Sequence, residues 1–166
     1  MFRRGILLIP ALLACAYAQG TTATRTVTQN FSFPPAGLAS SETAQVNVAN
    51  IAPASTGANA VAPACTGTIT FANAAGATLG SAVSFTTTSN QIFSKQLAFN
   101  ELDLTGIRGE FVATVQITTT FPSKTPCAPV LSLETFDSST GATHIFQGNS
   151  ASLSPPRAIN SPGFSH

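Results

Sequence analysis

The sequence predicts an all-β domain, and three features carry that prediction. Short runs of alternating apolar and polar residues follow one another along most of the chain, and no helical period lasts longer than about two turns. Glycine, proline, asparagine and serine separate these runs. Cys65 and Cys127 each fall in such a run. Together they favour an immunoglobulin-like two-sheet sandwich, with a β-barrel as the main alternative.

Each predicted strand is a run in which apolar residues recur at every second position. The clearest is 110–120, where Phe111 and Val115 share one face and Thr114 and Thr118 the other. The prolines after Phe33 end the first strand, because proline has no N–H to donate to a ladder. The predicted strands are 25–33, 43–51, 65–71, 79–85, 91–99, 110–120, 127–136 and 142–147.

The connections between these strands are rich in turn residues. The segment 52–64 lacks large side chains and predicts an exposed loop. The segment 100–104 is the one place where a helical turn is expected, with Asn100 as its cap. The sequence Asp-Ser-Ser-Thr-Gly at 137–141 predicts an Asx-type turn and lacks the alternating acids of a calcium loop.

The first eighteen residues predict a cleavable secretory signal. Arg3 and Arg4 supply a positive start, the stretch 5–14 is uncharged and apolar, and Ala16 and Ala18 are the small residues that a signal peptidase reads. The apolar stretch is about half the length that a membrane-spanning helix needs. Cleavage after Ala18 would release a soluble secreted or periplasmic protein with no membrane span.

A second processing route overlaps the first. The residues Leu12-Leu13-Ala14-Cys15 resemble the lipobox of bacterial lipoproteins, in which the cysteine is lipidated and becomes the first residue. Cys15 is therefore the candidate lipidation residue, and a membrane-anchored lipoprotein is the alternative to the soluble form. Because Leu13 is bulky for its position in a lipobox, cleavage after Ala18 is the favoured route.

The predicted mature chain is one domain with little charge. Removal of 1–18 leaves a β-sandwich domain at 19–147 and a tail at 148–166, whose Pro, Ser, Gly and Asn predict disorder. Five basic and six acidic residues remain, so the domain offers no electrostatic surface for nucleic acid. The only tyrosine is Tyr17 and there is no tryptophan, which disfavours but does not exclude a carbohydrate-binding module.

The two cysteines of the mature chain predict a disulfide. An even pair in an exported chain is oxidised by default. Cys65 has the same parity as Ile69 and Phe71, and Cys127 the same parity as Leu131 and Leu133. Side chains repeat every two residues along a strand, so both thiols are expected on the core side. We therefore expect a buried Cys65–Cys127 bridge between the two sheets.

No catalytic, cofactor-binding or metal-binding residue is predicted. His144 is expected to face solvent, because its nearest acid in sequence, Asp137, lies across a turn and no oriented triad is visible. Glu110 and Glu134 could pair as glycosidase carboxylates, but both fall on the polar parity of their strands. Glu101 and Asp103 are two positions apart and do not share a helix face.

The chain resembles two groups of bacterial proteins. The segment from Phe33 to Asn50, with its Pro-Pro-Ala-Gly-Leu turn and its Val-Asn-Val-Ala-Asn strand, and the segment 65–76 resemble uncharacterised bacterial exported immunoglobulin-like β-sandwich proteins. That resemblance implies the fold and no activity. The chain is also similar to Thr- and Ala-rich bacterial pilins and adhesins, which lend a strand to a neighbouring sheet; Thr21–Thr28 would be that strand.

The expected function is therefore non-enzymatic. We expect an exported or cell-envelope protein that binds an unknown protein or cell-surface partner, or has a structural role, through its β surface. A pilin-like or adhesin-like assembly subunit is one alternative. A secreted hydrolase whose site is not visible in the sequence is the other.

Overall fold

A computed structural model describes residues 25–54, 56, 63–102, 106–121 and 127–150, with the backbone only for Phe121, Asn149 and Ser150. The predicted signal peptide at 1–18, with Cys15, lies outside the described residues, as does the part of the predicted tail (148–166) that follows Ser150. The described strands are β1 Arg25–Ser32, β2 Ala36–Ala39, β3 Glu42–Asn50, β4 Ala64–Asn73, β5 Thr78–Thr88, β6 Ile92–Ala98, β7 Arg108–Phe121, β8 Pro129–Asp137 and β9 Thr143–Ser150.

The strands form two antiparallel sheets, which confirms the predicted two-sheet sandwich. In sheet A the order is β1-β7-β4-β5, and β2 also pairs with β7, beyond the end of β1. In sheet B the order is β6-β3-β8-β9. Of the seven described strand pairings, only β4–β5 and β8–β9 join consecutive strands, so the fold depends on contacts between distant parts of the chain.

Several local features differ from the sequence prediction; for example, β5 continues to Thr88, three residues past the expected end at Phe85. A short strand, β2, follows the two prolines where only a turn was expected, because Leu38 is fully buried and its backbone pairs with Gly109. The helical turn is a 3-10 helix at Phe99–Leu102, so Asn100 lies inside it and does not cap it. Strand β9 continues to Ser150, three residues past the expected end at Gln147.

The core lies between the sheets and follows the alternation that the sequence shows. In β7 every second side chain from Phe111 to Ile117 is buried, and the residues between them face outward. Phe71 and Phe111 meet edge to face, with ring centroids 5.9 Å apart. Such an edge-to-face pair contributes about 1 kcal/mol of stability beyond that gained from burying the two rings. Residues with less than 2 % exposure include Phe71, Phe111, Leu38, Ile69, Leu97, Ile117, Leu131, Leu133, Val46, Val48 and Val115.

The disulfide joins the two sheets at one end of the sandwich. Cys65 lies in β4 of sheet A, and Cys127 lies just before β8 of sheet B; both are buried, with 5.1 Å between their Cα atoms. The structure thus confirms the predicted bridge and its position. We call this end, where β3 finishes at Asn50, the disulfide end, and the opposite end, where β3 begins at Glu42, the turn end.

Asn50 is fully buried beside the disulfide and uses all of its side-chain hydrogen-bonding capacity. Its Nδ2 donates to the backbone oxygens of Pro63 and Thr87 at 3.0 and 3.2 Å. Its Oδ1 accepts from the backbone N–H groups of Ala52 and Ala128 at 3.1 and 3.3 Å. Ala52 and Pro63 are buried, which corrects the prediction of an exposed loop at 52–64 for these two residues, whereas residues 53, 54, 56 and 64 are exposed.

Candidate functional site

The outer face of sheet B carries a connected set of polar side chains. Alternation along β3, β6 and β8 points these residues away from the core, and the strand register places them in adjacent rows. Gln45 lies between Gln96 on one side and Glu134 on the other, and Asn47 lies between Ser94 and Ser132. We call these six residues the polar network: Gln45, Asn47, Ser94, Gln96, Ser132 and Glu134.

Asn47 and Gln45 link the three strands of the polar network. Asn47 Nδ2 donates to Glu134 Oε1 at 3.0 Å and to Ser132 Oγ at 3.3 Å. Asn47 Oδ1 accepts from Ser94 Oγ at 2.6 Å and from Gln45 Nε2 at 2.9 Å. Because each amide is held by neighbours on another strand, its rotamer is fixed before any ligand arrives.

Gln45 extends the network in both directions. Its Nε2 also donates to Glu134 Oε1 at 2.9 Å, and its Oε1 accepts from Gln96 Nε2 at 2.7 Å. Glu134 Oε1 thus receives two amide N–H groups. Among the described residues, Glu134 Oε2 and the Gln96 carbonyl oxygen have no side-chain partner, so these acceptors face solvent.

An exposed aromatic ring lies beside the polar network. Phe146 in β9 is directly opposite Glu134 in β8, and it is 68 % exposed. A Cβ placed on Gly148 would be 3.6 Å from Phe146 Cε1, so the ring leans over a position that has no side chain. The result is an aromatic ring next to a carboxylate and two amides on one face of the sheet.

The outer face of sheet A is polar in a different way. Two adjacent rows of uncharged side chains cross its four strands, and the register aligns the residues within each row. The hydroxyl oxygens of Thr28 and Thr118 are 3.5 Å apart, and Gln116 Nε2 donates to Asn30 Oδ1 at 3.1 Å. The aligned residues are Thr28, Thr118, Thr66 and Thr86 in one row and Asn30, Gln116, Thr68 and Ser84 in the next.

A small cleft opens between the edges of the two sheets. It lies where the prolines interrupt the edge of sheet A and faces the edge strand β9 of sheet B, and its volume is about 240 Å³. The Gln147 side-chain oxygen is buried here and has no hydrogen-bond partner among the described residues. The cleft is lined by Phe31, Ser32, Phe33, Pro34, Leu131, Gln147 and Gly148.

A charged cluster lies at the turn end, and it gives the solvent-facing His144 an acidic neighbour. His144 Nδ1 contacts Glu42 Oε1, although 102 positions separate the two residues. The His144 side chain is 48 % exposed, as expected for a solvent-facing histidine, but Glu42 is only 11 % exposed. This pairing is not visible in the sequence, because Glu42 lies on β3 and its approach to His144 depends on the order of the strands in sheet B.

The pKa of Glu42 lies below its ordinary value. Burial raises it, but the backbone N–H of Ala39, which donates to Glu42 Oε2 at 2.7 Å, lowers it. The contact with His144 and the positive charge of Arg108 lower it further and outweigh the burial. The carboxylate therefore stays ionised and ties β2 to β3 and β9.

Asp137 forms the turn that the sequence predicted. Its Oδ1 accepts from the backbone N–H groups of Ser139 and Thr140 at 2.9 and 2.8 Å, and from the hydroxyl groups of both residues. The Ser139 hydroxyl and these other donors hold the pKa of Asp137 well below its usual range. The acid nearest to His144 in sequence is thus engaged in its own turn.

The remaining acids do not assemble into a catalytic pair. Glu110 faces outward from β7 in sheet A and Glu134 faces outward from β8 in sheet B, so the whole sandwich lies between them. Glu101 Oε2 accepts from the backbone N–H of Ala98 at 2.8 Å, and Asp103 lies outside the described residues. Within the described ranges, no three His, Cys, Asp or Glu side chains are grouped to hold a metal ion.

The sequence predicts which side chains of the polar network face outward, but it does not predict which of them hydrogen-bond to one another. The alternation in Val-Asn-Val predicted that Gln45 and Asn47 share the polar face of one strand. Their partners on β6 and β8 could not be assigned, because a single sequence does not show which strands are neighbours.

Comparison with other proteins adds no relative. No family model matches the chain, and neither the curated proteins nor the solved structures include a significant match. In the part of the chain that the structure describes, no helix has the length and apolar character needed to cross a membrane.

Proposed function

We propose that this chain is an exported, non-enzymatic protein that binds an extended strand of a partner protein along the free edge of β9. The observation that carries the proposal is that β9 is an unprotected edge. The proposal also draws on the signal-like pattern of 1–18, which lies outside the described residues, and on the buried disulfide, which suits an oxidising compartment.

The other edges of the sandwich carry the features by which proteins block strand addition. Pro34 and Pro35 interrupt the edge formed by β1 and β2. Strand β5 contains Gly80 with φ of +62°, and its pairing with β4 has a register shift. Strand β6 carries Lys95.

Strand β9 shares one of these features, a register shift with β8, but only at its start between Thr143 and Ile145. From Ile145 to Ser150 it contains neither a charged residue nor a proline, and it pairs regularly with β8. Among the described residues no strand pairs with its outer row of backbone N–H and C=O groups, so that row can accept another strand. The cleft beside Gln147 would receive one inward-pointing apolar side chain of that strand, and the unpartnered Gln147 oxygen would accept one N–H group.

The acidic groups of the structure support a non-enzymatic role. Glu42 holds a backbone N–H and contacts His144, Asp137 holds its own turn, and Glu134 accepts two amide groups. Each of these three carboxylates thus has a structural task.

A photo-crosslinking residue in place of Phe146 tests the proposed edge. Ile92, on the opposite edge of the same sheet, is equally exposed at 68 % and is the matched control position. We expect crosslinking to a partner from position 146 and not from position 92 in the producing cell. The crosslinked segment, made as a synthetic peptide, should slow amide hydrogen exchange in β9.

Three results would overturn the proposal. Equal crosslinking from both positions would show no preference for β9, and a crosslinked peptide that leaves hydrogen exchange in β9 unchanged would exclude strand addition. Crosslinking only to a second copy of this chain would favour the pilin-like assembly subunit. The variant Gln147→Lys, which places a charge beside the edge, should abolish crosslinking, whereas Ser84→Lys on the β5 edge should not.

Mass spectrometry of the mature N-terminus tests the export route. A chain that begins at Gln19 means cleavage after Ala18 and a soluble exported protein. A chain that begins at a diacylglyceryl Cys15 means a lipoprotein. A chain that retains Met1 would contradict both routes and the proposed location.

A further inference from the structure

We infer that the outer face of sheet B binds a neutral oligosaccharide, with Phe146 as a stacking platform and the polar network as the hydrogen-bonding floor. This site is separate from the proposed strand site, because strand addition uses the backbone edge of β9 and the glycan would lie across the face of β9, β8, β3 and β6. The inference does not depend on the proposed function.

The chemistry of the face fits hydroxyl groups. A sugar hydroxyl donates one hydrogen bond and accepts others, so its binding sites mix acceptors with donors. The polar network supplies a carboxylate, three amides and two serine hydroxyls in adjacent rows. The solvent-facing acceptors, Glu134 Oε2 and the Gln96 oxygen, are held at separate points of one row, and the mutual hydrogen bonds keep them in place.

The aromatic ring gives the face its apolar part. Sugar rings present C–H groups on their faces, and these stack on exposed aromatic rings. Phe146 leans over Gly148, which leaves the ring free of a neighbouring side chain on β9 and open to solvent. The row Phe146, Glu134, Gln45, Gln96 crosses four strands at about 4.8 Å per strand, which gives a platform about 14 Å long.

The charge of the face selects among ligand classes. Its one ionised group in these rows is Glu134, so anionic ligands such as nucleic acids or acidic glycans would be repelled. A neutral ligand avoids that cost and can donate hydroxyl hydrogens to the carboxylate. The outer face of sheet A provides a contrast, because its threonine rows offer hydroxyl groups but no aromatic ring.

The experiment is a titration of the purified, disulfide-bonded protein with cellohexaose, chitohexaose and maltohexaose, followed by amide NMR and calorimetry. We expect at least one of them to shift amide signals of β3, β6 and β8 while those of β4 and β5 stay in place. Phe146→Ala should weaken binding about tenfold, the size expected when an aromatic anchor is removed. Ile92→Ala, equally exposed near the other edge of the sheet, should leave the affinity unchanged.

Glu134→Gln tests the polar network without removing its bulk. We expect weaker glycan binding and an unchanged melting temperature, because the amide keeps the size of the side chain but loses the charged acceptor. Binding that Ile92→Ala and Phe146→Ala weaken equally would overturn the inference, as would a glycan that shifts only signals of sheet A. No shift with any of the three glycans would also overturn it, and the crosslinking result for β9 would stand or fall separately.

Discussion

The two ends of the sandwich are held together by different chemistry. At the disulfide end a covalent bond and the buried Asn50 join the sheets, and neither group titrates in the ordinary pH range. At the turn end the Glu42 carboxylate accepts from the backbone N–H of Ala39 in sheet A and contacts His144 in sheet B, and the Asp137 carboxylate organises its turn. The first end should therefore respond to reductant and the second to acid.

Loss of the disulfide should give the largest effect. Cys65→Ala combined with Cys127→Ala releases a loop of 62 residues in the unfolded chain, and the chain-entropy model gives a loss of about 4 kcal/mol. Thermal unfolding under oxidising conditions measures it. Reductant should lower the melting temperature of the wild-type protein and leave the double variant unchanged. A wild-type curve that reductant does not move would show that the bridge has no stabilising role.

Asn50→Ala should lower the stability nearly as much as loss of the disulfide. Comparison with a substitution on the outer face of the same strand separates the effect of burial. The substitution leaves two carbonyl oxygens and two N–H groups buried without partners, which costs about 3 kcal/mol in the free energy of unfolding. Asn47→Ala, on the outer face of the same β3, is the control and should cost about 1 kcal/mol or less because water replaces its partners. Urea denaturation measures the stability of both variants. Equal losses of stability would show that the burial of Asn50 does not make its hydrogen bonds more important than those of Asn47.

Acid should weaken the turn end first. The pKa values of Glu42 and Asp137 are lower in the folded protein than their ordinary values of 4.5 and 3.8. The two ionised carboxylates therefore contribute their full stabilisation of the folded protein above their ordinary pKa values. That contribution is lost as the pH falls through the lower pKa values of the folded state. Below about pH 4.5 the melting temperature should fall, and Glu42→Gln with Asp137→Asn should make that dependence shallower.

Hydrogen exchange gives the location of this acid effect. Between neutral pH and the acid range, after correction for the intrinsic exchange rates, amides near the start of β3 and β9 should lose protection before those around Cys65. Simultaneous loss at both ends would show that the sandwich opens as one unit and would contradict a separate acid response of the turn end.

His144→Gln should have the smallest effect. The His144 side chain is about half exposed, and polar contacts at that exposure contribute about 0.5 kcal/mol or less. Glutamine can still donate a hydrogen bond to Glu42. Urea denaturation at neutral pH should therefore give a curve close to that of the wild type, and a loss comparable to that of Asn50→Ala would mean that the turn end depends on this contact far more than its exposure indicates.

The same contrast explains what could be predicted from the sequence. The disulfide was predictable because the parity of Cys65 and Cys127 is a local property of each strand. The contact between Glu42 and His144 was not, since it depends on β3 and β9 both lying beside β8 in sheet B. Asn50 was also missed, because its partners come from four separate segments and no local pattern distinguishes it from the outward Asn47.

The short strand β2 was missed for a further reason. Two prolines stop a ladder locally, but β7 is 14 residues long and offers a second stretch of edge beyond them. Burial of Leu38 then stabilises pairing that the local sequence does not favour. The polar network was predicted in part. The sequence shows that its residues face outward, but their hydrogen bonds depend on the register between strands.

The strand order has a consequence for the time course of folding. Arg25 at the start of β1 pairs with Phe121 at the end of β7, so the first strand has no partner in its sheet until most of the domain has been synthesised. The disulfide also closes late, since Cys127 follows seven of the nine strands. Folding that depends on such distant pairings is slow, and the waiting strands are exposed to aggregation. A chain of this design gains from a compartment in which helper proteins shield β1 and β3 until β7 and β8 arrive.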